Sequence, residues 1–203
     1  MKILKKTYLS GAFNRWDLQV KNNHNFVANG AVVHNSNQSC VFSDGEFHVK
    51  SRNLWKKDNG RSDFWRAFHA NEPLKEFLVK HPNYLVQGEL CGKVKGFTYG
   101  IPKGNVEFLA FDIRKPDYHY MDSCEFQEVC SKFNIKTPRI FESASPYSKE
   151  LVDSHTEGDQ FNNPSGIREG VIIRPQKERF EYRLNGRLIV KSVSNTYLEK
   201  KKK

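Results

Sequence analysis

At 203 residues, with 37% hydrophobic and 13% aromatic content, the chain is long enough for one or two packed domains. No apolar run could span a bilayer and MKILKKTYLSG lacks the apolar centre of a secretion signal, so membrane and export roles are excluded and a cytoplasmic location is expected. The net charge of +10 comes from five Lys/Arg against one Asp in residues 1–35 and 28 against 22 in the rest, so basicity alone singles out no polyanionic partner.

Residues 1–35 read as short strands, KILKKTYLS, WDLQV and NFVANGAVV, the last turning at Asn29-Gly30. A piece this small lies below the roughly 40 residues at which a lone chain buries a useful core, so another element must complete it. Its end carries chemistry. The Asn35 amide can attack its own main-chain carbonyl, close a five-membered ring and cut the backbone. The Ser36 hydroxyl can hold an acyl group, and His34 can move the proton that either step needs.

From Ser36 onward the pattern changes. Strand candidates SCVFSDGEFHVKSR, YLVQGELCG, VEFLAFDIR, EGVIIRP and FEYRLNGRLIVKSV alternate with a few helical stretches. KKDNG (Lys56 to Gly60) reads as a hairpin turn, and Asn185-Gly186 is a strong hairpin signal. DSCEFQEVCSKFNI predicts the clearest helix, with Asp122 as cap, Glu125 at the capping-box position, and Phe126, Val129, Cys130 and Phe133 on one face. Cys40, Cys91, Cys124 and Cys130 show no CxxC spacing and no histidine pattern, which favours reduced structural thiols over zinc or disulfides. The Lys200–Lys203 run is expected to be disordered. The coarse class is α+β with antiparallel sheet.

WDLQVKNNHNFVANGAVVHNS closely resembles the C-terminal end of an intein, the self-splicing element of the hedgehog/intein (HINT) fold. The amino-terminal half has no counterpart here: there is no nucleophile at the chain start and no upstream Thr-x-x-His block. The resemblance therefore implies the C-terminal partner of a split intein that splices in trans. It implies that Ser36 accepts the partner's acyl chain, that Asn35 cyclises and releases the intein, and that His34 donates a proton near the scissile carbonyl. His24 and Asp17 match the upstream His and Asp that assist proton transfers at the junction.

The remainder, 36–203, resembles the covalent nucleotidyltransferases, particularly the RNA ligase 2 family of nick-sealing enzymes. These open with Lys-x-(Asp/His)-Gly-(Ser/Thr)-Asn, of which the chain supplies only Ser36-Asn37. The later motifs follow in order: SRN with Arg52, VQGELCG with Glu89, FLAFDI with Phe111, EGVIIRP with Glu169, and LIVKSV with Lys191. The resemblance implies ATP and Mg²⁺ as cofactors and a lysyl-AMP intermediate. Lys191 would contact the α-phosphate, Arg52 and Glu89 would engage the nucleotide sugar and neighbouring groups, and Phe111 would stack on adenine. Glu169 would position metal or lysine, and Asn37 would sit near the phosphates or the donor end. Taken singly, Phe111 reads as strand core, Glu89 and Glu169 as carboxylates on a solvated face, and Lys191 as a surface lysine. The last motif usually carries two lysines separated by one residue; here Lys191 is preceded by Ile189 and followed by Val193, which leaves its register open.

The implied fold is an α+β, antiparallel-sheet nucleotidyltransferase, an ATP-grasp-like ligase core, preceded by a short all-β intein fragment at 1–35. The implied partners are a chain carrying the N-terminal intein half and the ligase N-terminus, and nicked or double-stranded RNA. The rivals are the same intein fused to an ATP-dependent DNA ligase core, or a non-enzymatic RNA-binding protein with a self-processing leader.

Overall fold

The computed structural model describes residues 26–28, 31–33, 37–92, 98–160 and 162–200. The expected strands KILKKTYLS and WDLQV lie outside the described residues, as do Asp17, His24, His34, Asn35 and Ser36. Two short strands, β1 (Phe26–Ala28) and β2 (Ala31–Val33), pair antiparallel with Ala28 opposite Ala31. That pairing flanks the Asn29-Gly30 dipeptide on which a turn was expected.

β3 (Asn37–Ser43) and β4 (Glu46–Ser51) form a hairpin closed by Asp44 and Gly45, at φ of 53° and 80°. Two left-handed residues give a turn whose twist matches that of the strands it joins. β5 (Trp55–Lys56) adds to the β4 edge. The chain then crosses to the sheet face as α1 (Asp63–His69) and α2 (Glu72–Lys80). KKDNG is therefore a strand-to-helix connection and not a hairpin turn, and Asp58 within it meets His69 at 2.7 Å. The reason lies downstream, because Trp65, Ala67 and Phe68 of α1 are buried and draw the helix onto the sheet. At the start of α2, the Asn71 side chain accepts the Leu74 N–H at 3.1 Å, and Pro73 sits in the first turn, where no N–H is needed.

β6 (Leu85–Cys91) and β7 (Glu107–Arg114) complete an antiparallel sheet of order β5-β4-β3-β6-β7. Alternation puts Val86, Leu90, Phe108 and Ala110 on one face, where Phe68, Leu74, Phe77 and Leu78 of the helices close over them. α3 (Ser123–Phe133) adds Phe126 and Cys130 to this core, with Val129 and Phe133 packed alongside, as its apolar face predicted. Its cap differs from expectation. The Asp122 carboxylate accepts the Glu178 N–H at 2.6 Å, and Glu125 pairs with Lys115 at 2.8 Å, so neither closes a capping box. More distant partners have taken both side chains.

The second region comprises α4 (Lys149–Thr156), β8 (Asp159–Gln160), β9 (Asn163–Ile167), β10 (Gly170–Ile173), β11 (Phe180–Glu181), β12 (Gly186–Arg187), β13 (Val190–Val193) and α5 (Asn195–Lys200). β8 pairs with β9, β10 with β13, and β11 with β12, all antiparallel. The hairpin at Asn185-Gly186 exists, but Glu181 faces Gly186, so Asn185 ends a longer connection and Gly186 already belongs to β12. Successive turn bonds, Leu184 N–H to Glu181 and Asn185 N–H to Tyr182, widen it. Buried Ser194 starts α5 by accepting the Tyr197 N–H at 3.0 Å. Glu157 accepts from the Ser194 hydroxyl and from the Asn195 N–H, both at 2.7 Å.

The four thiols are free, and burial pushes those of Cys40, Cys91 and Cys130 up to about 12, beyond ordinary reactivity. Among the described residues no helix is long and apolar enough to cross a membrane. Lys200 closes α5, and the rest of the lysine run lies outside the described residues.

Candidate functional site

The sheet face away from the helices carries a polar row. Asn37 on β3 lies opposite Glu89 on β6, and Glu89 opposite Leu109 on β7. Ser51 pairs with Gln38, so Arg52 follows directly beyond the strand end that Asn37 opens. Three of the expected site positions, Arg52, Asn37 and Glu89, thus come to one end of the sheet. Gly88 lets β6 and β7 approach closely, because a Cβ there would stand 2.4 Å from the Leu109 carbonyl oxygen and 2.5 Å from the Phe108 ring.

Phe111 is not plain strand core. Gly88 pairs with Ala110 and Gln87 with Asp112, which leaves Phe111 as the extra residue of a β-bulge, half-buried and unmatched in register. Bulges re-aim side chains at such places. The main chain here is anchored, since Arg174 donates to the Phe111 carbonyl at 3.0 Å.

Beyond the bulge, Asp112 is 5% exposed and gathers two guanidinium groups. Arg187 donates to its two oxygens at 2.7 and 3.0 Å, and Arg174 lies 3.0 Å from Oδ1. Glu178 bonds Arg187 at 2.8 and 2.5 Å, and Arg187 lies over the Tyr120 ring at 3.6 Å. Tyr120 in turn donates to Gln87 at 3.0 Å. Burial opposes the charge on Arg187, but the hydrogen bonds to Glu178 and Asp112 outweigh it and push its pKa up. The network ties β7 to β12 across 75 residues.

Glu169 and Lys191 meet at 2.5 Å with side chains only 11% and 13% exposed. The readings of Glu169 as a solvated carboxylate and Lys191 as a surface lysine are therefore overturned. The cause is the β10–β13 pairing, which sets Ile172 opposite Lys191 and Gly170 opposite Val193. Gly170 has φ +143°, and a Cβ there would stand 1.9 Å from the Ser192 carbonyl oxygen. Only glycine lets the strands close at this point.

One residue that the sequence reading missed is Tyr99: burial first, then the charges of Cys91, Glu89 and Glu169, raise its pKa. Tyr99 has φ 49°, a backbone region that bulky residues seldom occupy. Burial and then Glu169 likewise raise the pKa of Tyr197. Asp112 lies in FLAFDI and Arg174 in EGVIIRP, and nothing in local spacing pairs either with Arg187. Asp17, His24, His34, Asn35 and Ser36 are not placed, because they lie outside the described residues. Among the described residues no group of three metal-ligating side chains forms.

A protein-family profile described as RNA ligase matches residues 32–193. The chain belongs to the RNA ligase family. The matched span opens at Val32, inside the segment read as an intein piece, and closes at Val193, the end of β13. Solved structures of Naegleria gruberi RNA ligase are similar to this family member. A point mutant of that enzyme with ATP and Mn has 23% identity and a TM-score of 0.66, the match covering 82% of this chain and 49% of that one. The form with PPi gives 24%, 0.66, 83% and 49%. A mutant with AMP and Mn gives 23%, 0.66, 82% and 48%. This likeness establishes a shared fold, and the chain spans about half the length of the structures it matches. No curated protein matches the chain.

Proposed function

We propose that residues 36–203 are the larger part of an ATP-dependent RNA ligase catalytic domain that seals 3′-OH/5′-phosphate nicks through a lysyl-AMP intermediate. In this reading residues 1–35 are the C-terminal fragment of a split intein that brings in the missing lysine by trans-splicing. The observation that carries the ligase half is the buried Glu169–Lys191 ion pair.

In the chemistry proposed, a lysine amine attacks the α-phosphate of ATP, a nitrogen–phosphorus bond forms and pyrophosphate leaves. The adenylate passes to a 5′-phosphate, and a 3′-hydroxyl then displaces AMP. Lys191, fixed by Glu169, offers a positioned cation to the phosphate that is attacked. The bulge at Phe111 presents an aromatic ring for the base, and Asn37, Arg52 and Glu89 present polar groups to sugar and phosphate. Glu89 and Glu169 are hard oxygen donors of the kind Mg²⁺ accepts in ones and twos beside substrate phosphates, which fits the donor set here. Held by these carboxylates, a divalent cation would neutralise phosphate charge.

Counted back from Asn37, the family's opening motif would place its lysine at position 32, where this chain has Val32. Val32 lies on β2, which runs close to β13, the strand of Lys191. This neighbourhood supports the reading that the nucleophile arrives in a partner's segment ending in Lys-x-(Asp/His)-Gly. Asp17, His24, His34, Asn35 and Ser36 then carry out the splice.

Two substitutions test the ligase half. Val32→Lys with Asn35→Gly converts VVHNSN into a full Lys-x-His-Gly-Ser-Asn motif. With labelled ATP and Mg²⁺ the unaltered chain should form no covalent adduct, and the double variant should form one that Glu169→Ala or Lys191→Ala abolishes. An adduct on the unaltered chain sinks the missing-lysine reading. For the splice, Asn35→Ala should block intein release while Ser36 still accepts the acyl chain, and Ser36→Ala should block acceptance itself, as read by mass spectrometry. Sealing assays on nicked RNA and nicked DNA then separate the RNA reading from its DNA rival.

A further inference from the structure

The polar sheet face continues past the candidate nucleotide end into a groove of about 710 Å³ lined by Val41, His48, Trp55, Arg114, Lys115 and Tyr118. Strand register places it. Val41 shares a face with Asn37, four residues along β3, or about 14 Å. Val41 pairs with His48 and Leu85, Leu85 with Arg114, and Trp55 with Lys50, so this row lies on the same face.

Two observations point to a ligand. Trp55 and Tyr118 are 62% and 75% exposed, a costly state for large rings, and each carries a cation over it: Lys50 at 5.4 Å and Arg114 at 5.1 Å. Tyr118 also holds φ 70°, a conformation that bulky residues seldom adopt without a reason. No carboxylate lines the groove among the described residues, although Lys115 itself pairs with Glu125 at 2.8 Å.

We propose that this groove binds a single-stranded segment of RNA, with bases stacked on Trp55 and Tyr118 and phosphates held by Lys50, Arg114 and Lys115. Exposed rings interleaved with cations along a groove are the physical means by which proteins hold unpaired strands, because every base has a face to stack and every linkage a charge. The proposal rests on the reading of RNA as substrate and adds where an unpaired segment flanking the nick runs: along the sheet face, away from Asn37 and Glu89.

The test is fluorescence anisotropy of the full chain with a labelled single-stranded oligoribonucleotide of about ten residues, at about 50 and about 200 mM salt. Trp55→Ala and Tyr118→Ala should each weaken binding about tenfold. Tyr118→Gly should weaken it equally while leaving the melting temperature unchanged or raised, since glycine accepts the positive φ. Arg114→Ala should reduce the salt slope by about one. Failure of the native chain to bind, or native affinity in both aromatic variants, overturns the proposal, as does equal affinity for a blunt RNA duplex. The adenylation assay on the Val32→Lys, Asn35→Gly chain separates the two readings. Adenylation without aromatic-dependent binding overturns the groove alone. Aromatic-dependent binding without adenylation upholds the groove and removes the ligase chemistry.

Discussion

Residues 37–136 and residues 148–200 are held together by different forces. In the first region Cys40, Phe68, Leu74, Phe77, Phe108 and Ile113 are fully or almost fully buried between one sheet face and three helices. In the second, Ile189 and Tyr197 are the buried hydrophobic residues among those described, and polar groups carry the cohesion. Glu169 meets Lys191, Arg187 bridges Asp112 and Glu178, Thr156 donates to Ser192 at 2.7 Å, and Arg168 donates to the His155 carbonyl at 2.6 Å. Apolar burial is non-directional and tolerates small shifts. A buried ion pair needs a partner at a fixed place and loses heavily when one member is removed. The difference teaches that the first region supplies stability and the second supplies position, and the candidate site lies where the two meet.

Four experiments break or sharpen this contrast. Phe77→Ala should have the largest effect, about 4 kcal/mol in urea unfolding, because an aromatic ring at 0% exposure leaves a cavity as well as lost burial. A cost near that of a surface change would show that the first region is not the stabilising one. Asp112→Ala should cost about 3 kcal/mol, leaving Arg174 and Arg187 without their shared carboxylate. By hydrogen exchange, protection should fall in β10 and β13 and hold in β3 and β6; uniform loss across both sheets would erase the distinction.

A smaller effect concerns acid. The Ser194 hydroxyl, and then the Asn195 N–H, hold the Glu157 carboxyl below its ordinary 4.5. As pH falls below 4.5, the unfolded chain takes up a proton that the folded chain resists. The contribution is thus complete above 4.5 and is lost as pH drops through the lowered folded value. Glu157→Gln should flatten the acid limb of a stability–pH curve and leave the neutral stability little changed relative to the two substitutions above. An unchanged acid limb would remove Glu157 from the account. The smallest perturbation is thiol labelling. In the native chain at about pH 8 only exposed Cys124 should react with a disulfide reagent, and Cys40, Cys91 and Cys130 should follow on unfolding. Rapid native labelling of all four would show that the first region opens readily.

Much of the fold was readable because it depends on neighbours in the chain. Period-two alternation marks β6 and β7, the apolar stripe of Phe126 and Cys130 marks α3, and Asn185-Gly186 marks a reversal. The expected site positions from Asn37 to Lys191 were readable as ordered motifs, and they mark one family. What misled the reading was local signal that a remote partner overrode. Asp122 had the sequence of a capping residue but bonds Glu178, and Lys56 to Gly60 had the composition of a turn but leads into a helix that the core pulls inward.

By itself the sequence determined the identity and order of the chemical groups: two carboxylates, a lysine, and an aromatic in a strand. The tertiary structure alone decided which of them touch. The bulge that frees Phe111 exists only in register with β6, and the Glu169–Lys191 contact spans 22 residues and needs a glycine that lets two strands close. The Asp112–Arg187 contact spans 75. The physical reason is that local propensities act over a turn or a strand, whereas these contacts form only after packing has brought distant segments together and excluded the water that would otherwise screen them.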